Sequence, residues 1–191
     1  MVAAAALMLS ACATTGDDEI GEQIPFTDSL IGEYQLNDQH KKRLQYYVSE
    51  PITLSRSAAR SIRGISEGRL IDRGNRDIDQ IHVAAQTPGV VVGSGANWVA
   101  VSFEPGSYLY FVSKQQQVNS PYWDDVRDGD RYYLYAPDWD GRSGTVMVGN
   151  SGYQAIGNSI ESFLLVDRES LYTTDSSGRT LSGRLLDRRV R

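Results

Sequence analysis

The chain has 191 residues, 23% charged and 40% hydrophobic, which suits one globular domain with or without a tail. Its formal net charge is -5, which argues against a general nucleic-acid binder. The single Cys excludes an internal disulfide and a cysteine zinc cluster, and the two His, His40 and His82, leave little material for a histidine metal site.

The first element in chain order is the continuous apolar run Val2 to Leu9 (VAAAALML), followed by Ser10-Ala11-Cys12. The run is too short to span a bilayer and has the form of a signal-peptide core ending in small residues. Leu9-Ser10-Ala11-Cys12 closely resembles the lipobox of bacterial lipoproteins. The resemblance covers these first dozen residues and identifies a processing class, not a domain family. It implies cleavage before Cys12, diacylglycerol on the Cys12 sulfur and N-acylation. Ala13 follows instead of Asp, which by the same resemblance implies sorting to the outer membrane. The expected organisation is a signal peptide over 1–11, an acylated Cys and flexible tether over 12–28, and one β-rich domain over 29–191. The tether is polar and acidic, and its sixteen residues after Cys12 reach on the order of 50 Å when extended.

Leu36 to Arg43 predicts a short helical turn started by Asn37 or Asp38. Strand signals follow. In Leu44 to Leu54 (LQYYVSEPITL) the even positions are Leu, Tyr, Val, Glu, Ile and Leu, so Glu50 interrupts an apolar face. Pro51 lacks a backbone N–H and belongs at a sheet edge or bulge. The expectation is a bulged edge strand that turns Glu50 outward and restores Ile52 and Leu54 to the core. Such an edge would also offer a docking rail for a partner strand of another envelope protein. Ser57 to Ile65 gives no clear signal. Ile81, Val83 and Ala85 alternate with polar neighbours, and Thr87-Pro88-Gly89 predicts a turn. Further strands are predicted at 90–92, 98–103, 108–112, 131–136, 145–148, 162–167 and 179–186, with a hairpin turn at Asp175 to Gly178. The fold class is all-β, an antiparallel sandwich or barrel-like domain with a short helical turn near the N-terminus.

Catalytic signals are sparse, and no catalytic residue is assigned. There is no Gly-x-Ser-x-Gly elbow and no phosphate loop. His82 faces away from Ile81 and Val83, as a half-exposed strand residue does, and His40 lies beside Lys41-Lys42-Arg43 as solvated surface. The one unusual stretch is Pro121 to Gly141 (PYWDDVRDGDRYYLYAPDWDG). Its Trp123, Asp128, Asp130, Tyr133, Asp138, Trp139 and Asp140 form a candidate ligand surface: rings pack on sugar C–H faces and carboxylates accept from hydroxyls. Asp138 and Asp140 are also candidate Ca²⁺ ligands, although the alternation stops after two and no terminal Glu follows. The competing reading makes 132–135 a core strand and the Asp residues turn caps. Asp138 and Asp140 flank Trp139 and a turn belongs at the surface, so one of the two indoles, Trp123 or Trp139, is expected to be partly exposed. The arginine-rich stretch 184–191 reads as a solvated end or as a contact for anionic lipid phosphates. The function expected from these features is that of a non-catalytic binding or assembly module of the cell envelope, anchored by lipid. The alternatives are an envelope glycan hydrolase and a mainly structural lipoprotein.

Overall fold

Glu50 and Pro51 form a corner between two sheets. Strand β2 (Tyr46–Val48) and strand β3 (Ile52–Ser57) flank that corner and belong to different sheets. The structure, a computed structural model, describes residues 21–57, 62–66, 69–73, 78–113, 122 and 128–172. Cys12, Trp123, the 175–178 turn, the 179–186 strand and the 184–191 arginines lie outside the described residues.

The first sheet has seven strands, and β2 lies inside it. In spatial order they are β1 (Gln23–Pro25), β13 (Leu164–Asp167), β2, β7 (Pro88–Ser94), β8 (Trp98–Glu104), β9 (Ser107–Val112) and β10 (Tyr133–Leu134). The second has six, in the order β11 (Thr145–Val148), β12 (Ser151–Ile156), β3, β6 (Ile78–Val83), β4 (Ile62–Ser66) and β5 (Arg69–Arg73). Among the described strands all pairings are antiparallel except β4 with β6. The architecture is an all-β sandwich. Its larger sheet rolls until β10 reaches β13: Leu134 N donates to Ser162 O at 2.9 Å and Leu164 N to Tyr132 O at 3.0 Å. Phe26 completes this seam, donating to Leu164 O at 2.9 Å and accepting from Tyr132 N at 3.2 Å.

The expected edge strand at 44–54 is therefore corrected. β2 has neighbours on both sides, as does β3, so neither offers a free rail. Glu50 does turn outward, while Ile52 and Leu54 are fully buried. Pro51 is tolerated because the chain leaves one sheet there, where no ladder bond is needed. The corner is pinned by Ser49 N to Phe163 O at 2.9 Å and by Ser162 Oγ to Glu50 O at 3.0 Å. A second correction concerns 87–89. The turn falls at 84–87, with Gln86 at φ +62°, and Pro88-Gly89 opens β7. Gly89 is required there, because a Cβ would lie 2.6 Å from the Phe103 ring and 2.7 Å from Val101.

The tether boundary also moves. Gln23–Pro25 pairs with β13, and Phe26 is fully buried, so the folded body begins before residue 29. Helix α1 (Asp28–Glu33) follows, capped by Thr27 Oγ1 accepting from Leu30 N at 2.9 Å. Helix α2 (Asp38–Lys41) is the predicted helical turn. Asn37 caps it, and the His40 ring accepts from Asn37 N at 3.4 Å to complete a capping box. A 3-10 turn (Gly157–Glu161) and helix α3 (Arg168–Tyr172) complete the described elements. The core is aromatic at its centre. The Phe26 ring meets Tyr46 edge-on at 5.2 Å and Tyr132 at 4.8 Å, and such pairs add about 0.5–1.5 kcal/mol each beyond burial.

Candidate functional site

The aspartate-rich segment lies between β9 and β11 and is described at Tyr122 and from Asp128 onward. Leu134 in its short strand β10 and Tyr132 just before that strand are both fully buried. Tyr132 OH donates to Asp28 Oδ1 at 2.8 Å. Burial first, and then this bond to a carboxylate, push the Tyr132 phenol far above its usual value. Tyr133 alternates to the other side yet is also buried. Its ring meets Phe163 edge-on at 5.6 Å, and its OH donates to Asp128 O at 3.2 Å while accepting from Asp128 N at 3.0 Å. Tyr133 thus folds the preceding turn back over itself.

The carboxylates serve the backbone. Asp130 Oδ2 accepts from Ser29 N at 2.7 Å, and Asp130 O accepts from Asp28 N at 3.0 Å, which ties the segment to the first turn of α1. The Ser29 bond holds the Asp130 carboxyl below the usual carboxylate range. Asp138 accepts from Thr145 N at 2.5 Å and Thr145 Oγ1 at 2.6 Å, closing the loop onto β11. Burial raises the Asp138 carboxyl, but these two bonds outweigh it and the net shift is downward. Asp140 Oδ1 accepts from Arg142 N at 2.9 Å and Ser143 N at 2.8 Å, and the bonds from Ser143 and Arg142 lower that carboxyl too. Asp128 is exposed and lies 3.9 Å from the Arg131 guanidinium, a contact worth little in water.

Trp139 is 5% exposed and belongs to the core, so of the two indoles it is not the exposed one, and Trp123 lies outside the described residues. The reason is tertiary. Gly144 passes so close that a Cβ there would sit 3.1 Å from Trp139 Cα and 2.9 Å from the Ala136 Cβ, and the tightly capped 138–145 loop turns the indole inward. Of the segment's described aromatics, Tyr122 remains outward, against Gly141, whose φ is +92°. Asp138 and Asp140 stand close enough to repel, yet their bonded oxygens point at separate stretches of backbone. Among the described residues no group of three His, Cys, Asp or Glu is placed to hold a metal ion. The arrangement is suited to shaping a loop, since the Asp138 and Asp140 carboxylates accept from separate stretches of the chain's own backbone.

His82 is exposed on the outward face of β6, where Thr53 Oγ1 lies 3.0 Å from its Nδ1. The sequence reading passed over a polar cluster around the buried Asp79 carboxylate, which Arg56 joins from a partly exposed position. Arg56 and Asp79 are register partners on β3 and β6, and Arg56 Nη2 lies 2.7 Å from Asp79 Oδ2. Tyr153 OH donates to the same oxygen at 2.8 Å, and the guanidinium lies 4.8 Å over the Tyr153 ring. The signal was present: Arg56 shares parity with Ile52 and Leu54, and Asp79 with Ile81 and Val83, so opposite charges occupy inward positions of two strands. Between the sheets, Ile81, Val83, Phe103, Leu109 and Val148 line a slit with about 10 Å³ of free space, the room of one water molecule.

With this geometry in hand, comparison with protein-family models, curated proteins and solved structures found no match. The class that the fold itself defines is an antiparallel β-sandwich with one rolled sheet.

Proposed function

We propose that this protein is a non-catalytic binding or assembly module of the bacterial cell envelope, anchored to the outer membrane by acylated Cys12. The observation that carries the reading is the Leu9-Ser-Ala-Cys12 motif placed just ahead of a body whose packed residues begin at Gln23. The carboxylates Asp130, Asp138 and Asp140 are engaged by backbone amides and hold loops, so the binding role is placed elsewhere on the body. The outward face of the six-stranded sheet carries Met147 and Ile156, each 43% exposed, beside Gln154 and His82. Met147 lies opposite Gly152 and Ile156 opposite Thr53, so they are two separate apolar positions on this face, and they are where a contact is tested.

The anchor is tested by metabolic labelling with a fatty-acid probe. The parent chain is expected to incorporate the label and sediment with membranes, and Cys12→Ser to lose both. Equal labelling of the two would overturn the anchor. The binding role is tested by placing a photo-crosslinker at Met147 or Ile156 in cells. A discrete adduct at these positions, and none at Glu50, is the expected result.

A further inference from the structure

We propose that Met147 is an oxidation site: peroxide-type oxidants convert its thioether to the sulfoxide in the folded protein, and the fold survives the change. The proposal goes beyond the binding role and the anchor and rests on neither.

The strand pattern places the sulfur outside. β11 is the terminal strand of the six-stranded sheet. Val146 and its register partner Tyr153 are buried in the core. Successive side chains of a strand alternate, so Met147 stands on the opposite face, where it is 43% exposed. Its register partner there is Gly152, which has no side chain to lay over a neighbour. A Cβ at Gly152 would lie 3.8 Å from Met147 Sδ, in ordinary van der Waals contact. The glycine therefore leaves bare the flank of the sulfur that another residue would cover. On the next rung, Gln154 Nε2 donates to Thr145 Oγ1 at 3.1 Å, and Thr145 Oγ1 donates to Asp138 Oδ2 at 2.6 Å. These polar neighbours are bonded to one another and leave the thioether open to solvent.

The chemistry follows from the exposed sulfur, which is the only one among the described residues. Its lone pair attacks one oxygen of hydrogen peroxide. The S–O bond forms as the O–O bond breaks, the sulfur is oxidised by two electrons, and the peroxide is reduced. The departing hydroxide takes the proton of the new S–OH group and leaves as water, which gives the sulfoxide. Methionine sulfoxide reductases reverse the step. The product is polar and chiral, and in a core its desolvation would be costly. On the outward face the new oxygen is hydrated, so an apolar surface point turns polar with no core packing disturbed.

The test treats the full chain with hydrogen peroxide, folded and in urea, and follows the gain of one oxygen atom at residue 147 by peptide mass mapping. The folded chain is expected to react within a few-fold of the unfolded one, and its melting temperature to stay unchanged after oxidation. Methionine sulfoxide reductase with dithiothreitol should remove the added oxygen from the folded protein. Gly152→Leu places a side chain against the sulfur and should slow the folded reaction several-fold while leaving the rate in urea unchanged. Met147→Leu should abolish the gain at this position and keep the melting temperature. A folded rate ten-fold or more below the rate in urea would overturn the proposal, as would a melting temperature that falls on oxidation. A Gly152→Leu chain that melts as the parent does and reacts as fast would remove the role given to the glycine and overturn the structural basis of the site.

Discussion

Asp79 shows how much one residue can decide. It is 3% exposed, and a buried carboxylate is costly unless charge and hydrogen bonds compensate it. Arg56 and Tyr153 supply that compensation through a single oxygen, Oδ2. Removing one partner of a fully buried pair costs on the order of 3–5 kcal/mol, but the Arg56 side chain is 37% exposed and keeps access to water when Asp79 is removed, which lowers the cost. Asp79→Ala is therefore expected to lower stability by about 1–2 kcal/mol, through the lost hydrogen bonds of Arg56 and Tyr153, and Arg56→Met with Asp79→Leu to recover much of that loss. Urea denaturation measures both, and a double variant no better than Asp79→Ala would show that the pair is not acting as a unit. Trp139 makes the complementary case. Because its indole is in the core, Trp139→Ala should cost about 3–5 kcal/mol, read from the same transitions. An exposed indole would cost far less.

At the scale of the element, the 128–145 segment is shaped by carboxylates that cap backbone amides. Asp130, Asp138 and Asp140 all sit below the ordinary carboxylate value in the folded state. The sign follows from linkage. A depressed folded pKa means that the unfolded chain binds more protons in that window, so the stabilisation is present above the unfolded carboxylate pKa of about 3.9 and is lost as pH falls through the folded values. The melting temperature should fall as pH drops below about 4, and Asp138→Asn should flatten that dependence. Thermal melts across this range check both. Calcium at millimolar concentration is expected to leave the melting temperature unchanged, because Ca²⁺ takes about six to eight oxygens and no group of three His, Cys, Asp or Glu is gathered among the described residues. A calcium-dependent rise that Asp140→Asn abolishes would instead restore the cation site. Element existence was legible where periodicity and caps agreed. The 145–148 strand and the Asn37-capped turn stand where the sequence places them. Strand β1 and helices α1 and α3 were not legible, since three to six residues are too few to express a period.

At the scale of the molecule, the body should fold without a redox bond. A far-UV circular dichroism spectrum dominated by β structure is expected from a chain lacking residues 1–20, and a helical spectrum would contradict it. The cut must fall before Gln23, because β1 and Phe26 close the seam of the rolled sheet. The sequence by itself determined the all-β class, the outward turn at Glu50 and the lone thiol at Cys12, because alternation, proline chemistry and residue counts are local properties. Only the tertiary structure decided which strands pair. The Glu50-Pro51 interruption signals a change of direction equally well at an edge and at a corner between sheets. The burial of Trp139 and the capping role of the aspartates were likewise decided by partners distant in sequence, such as Ser29 for Asp130, whose contact depends on the whole sheet closing around it.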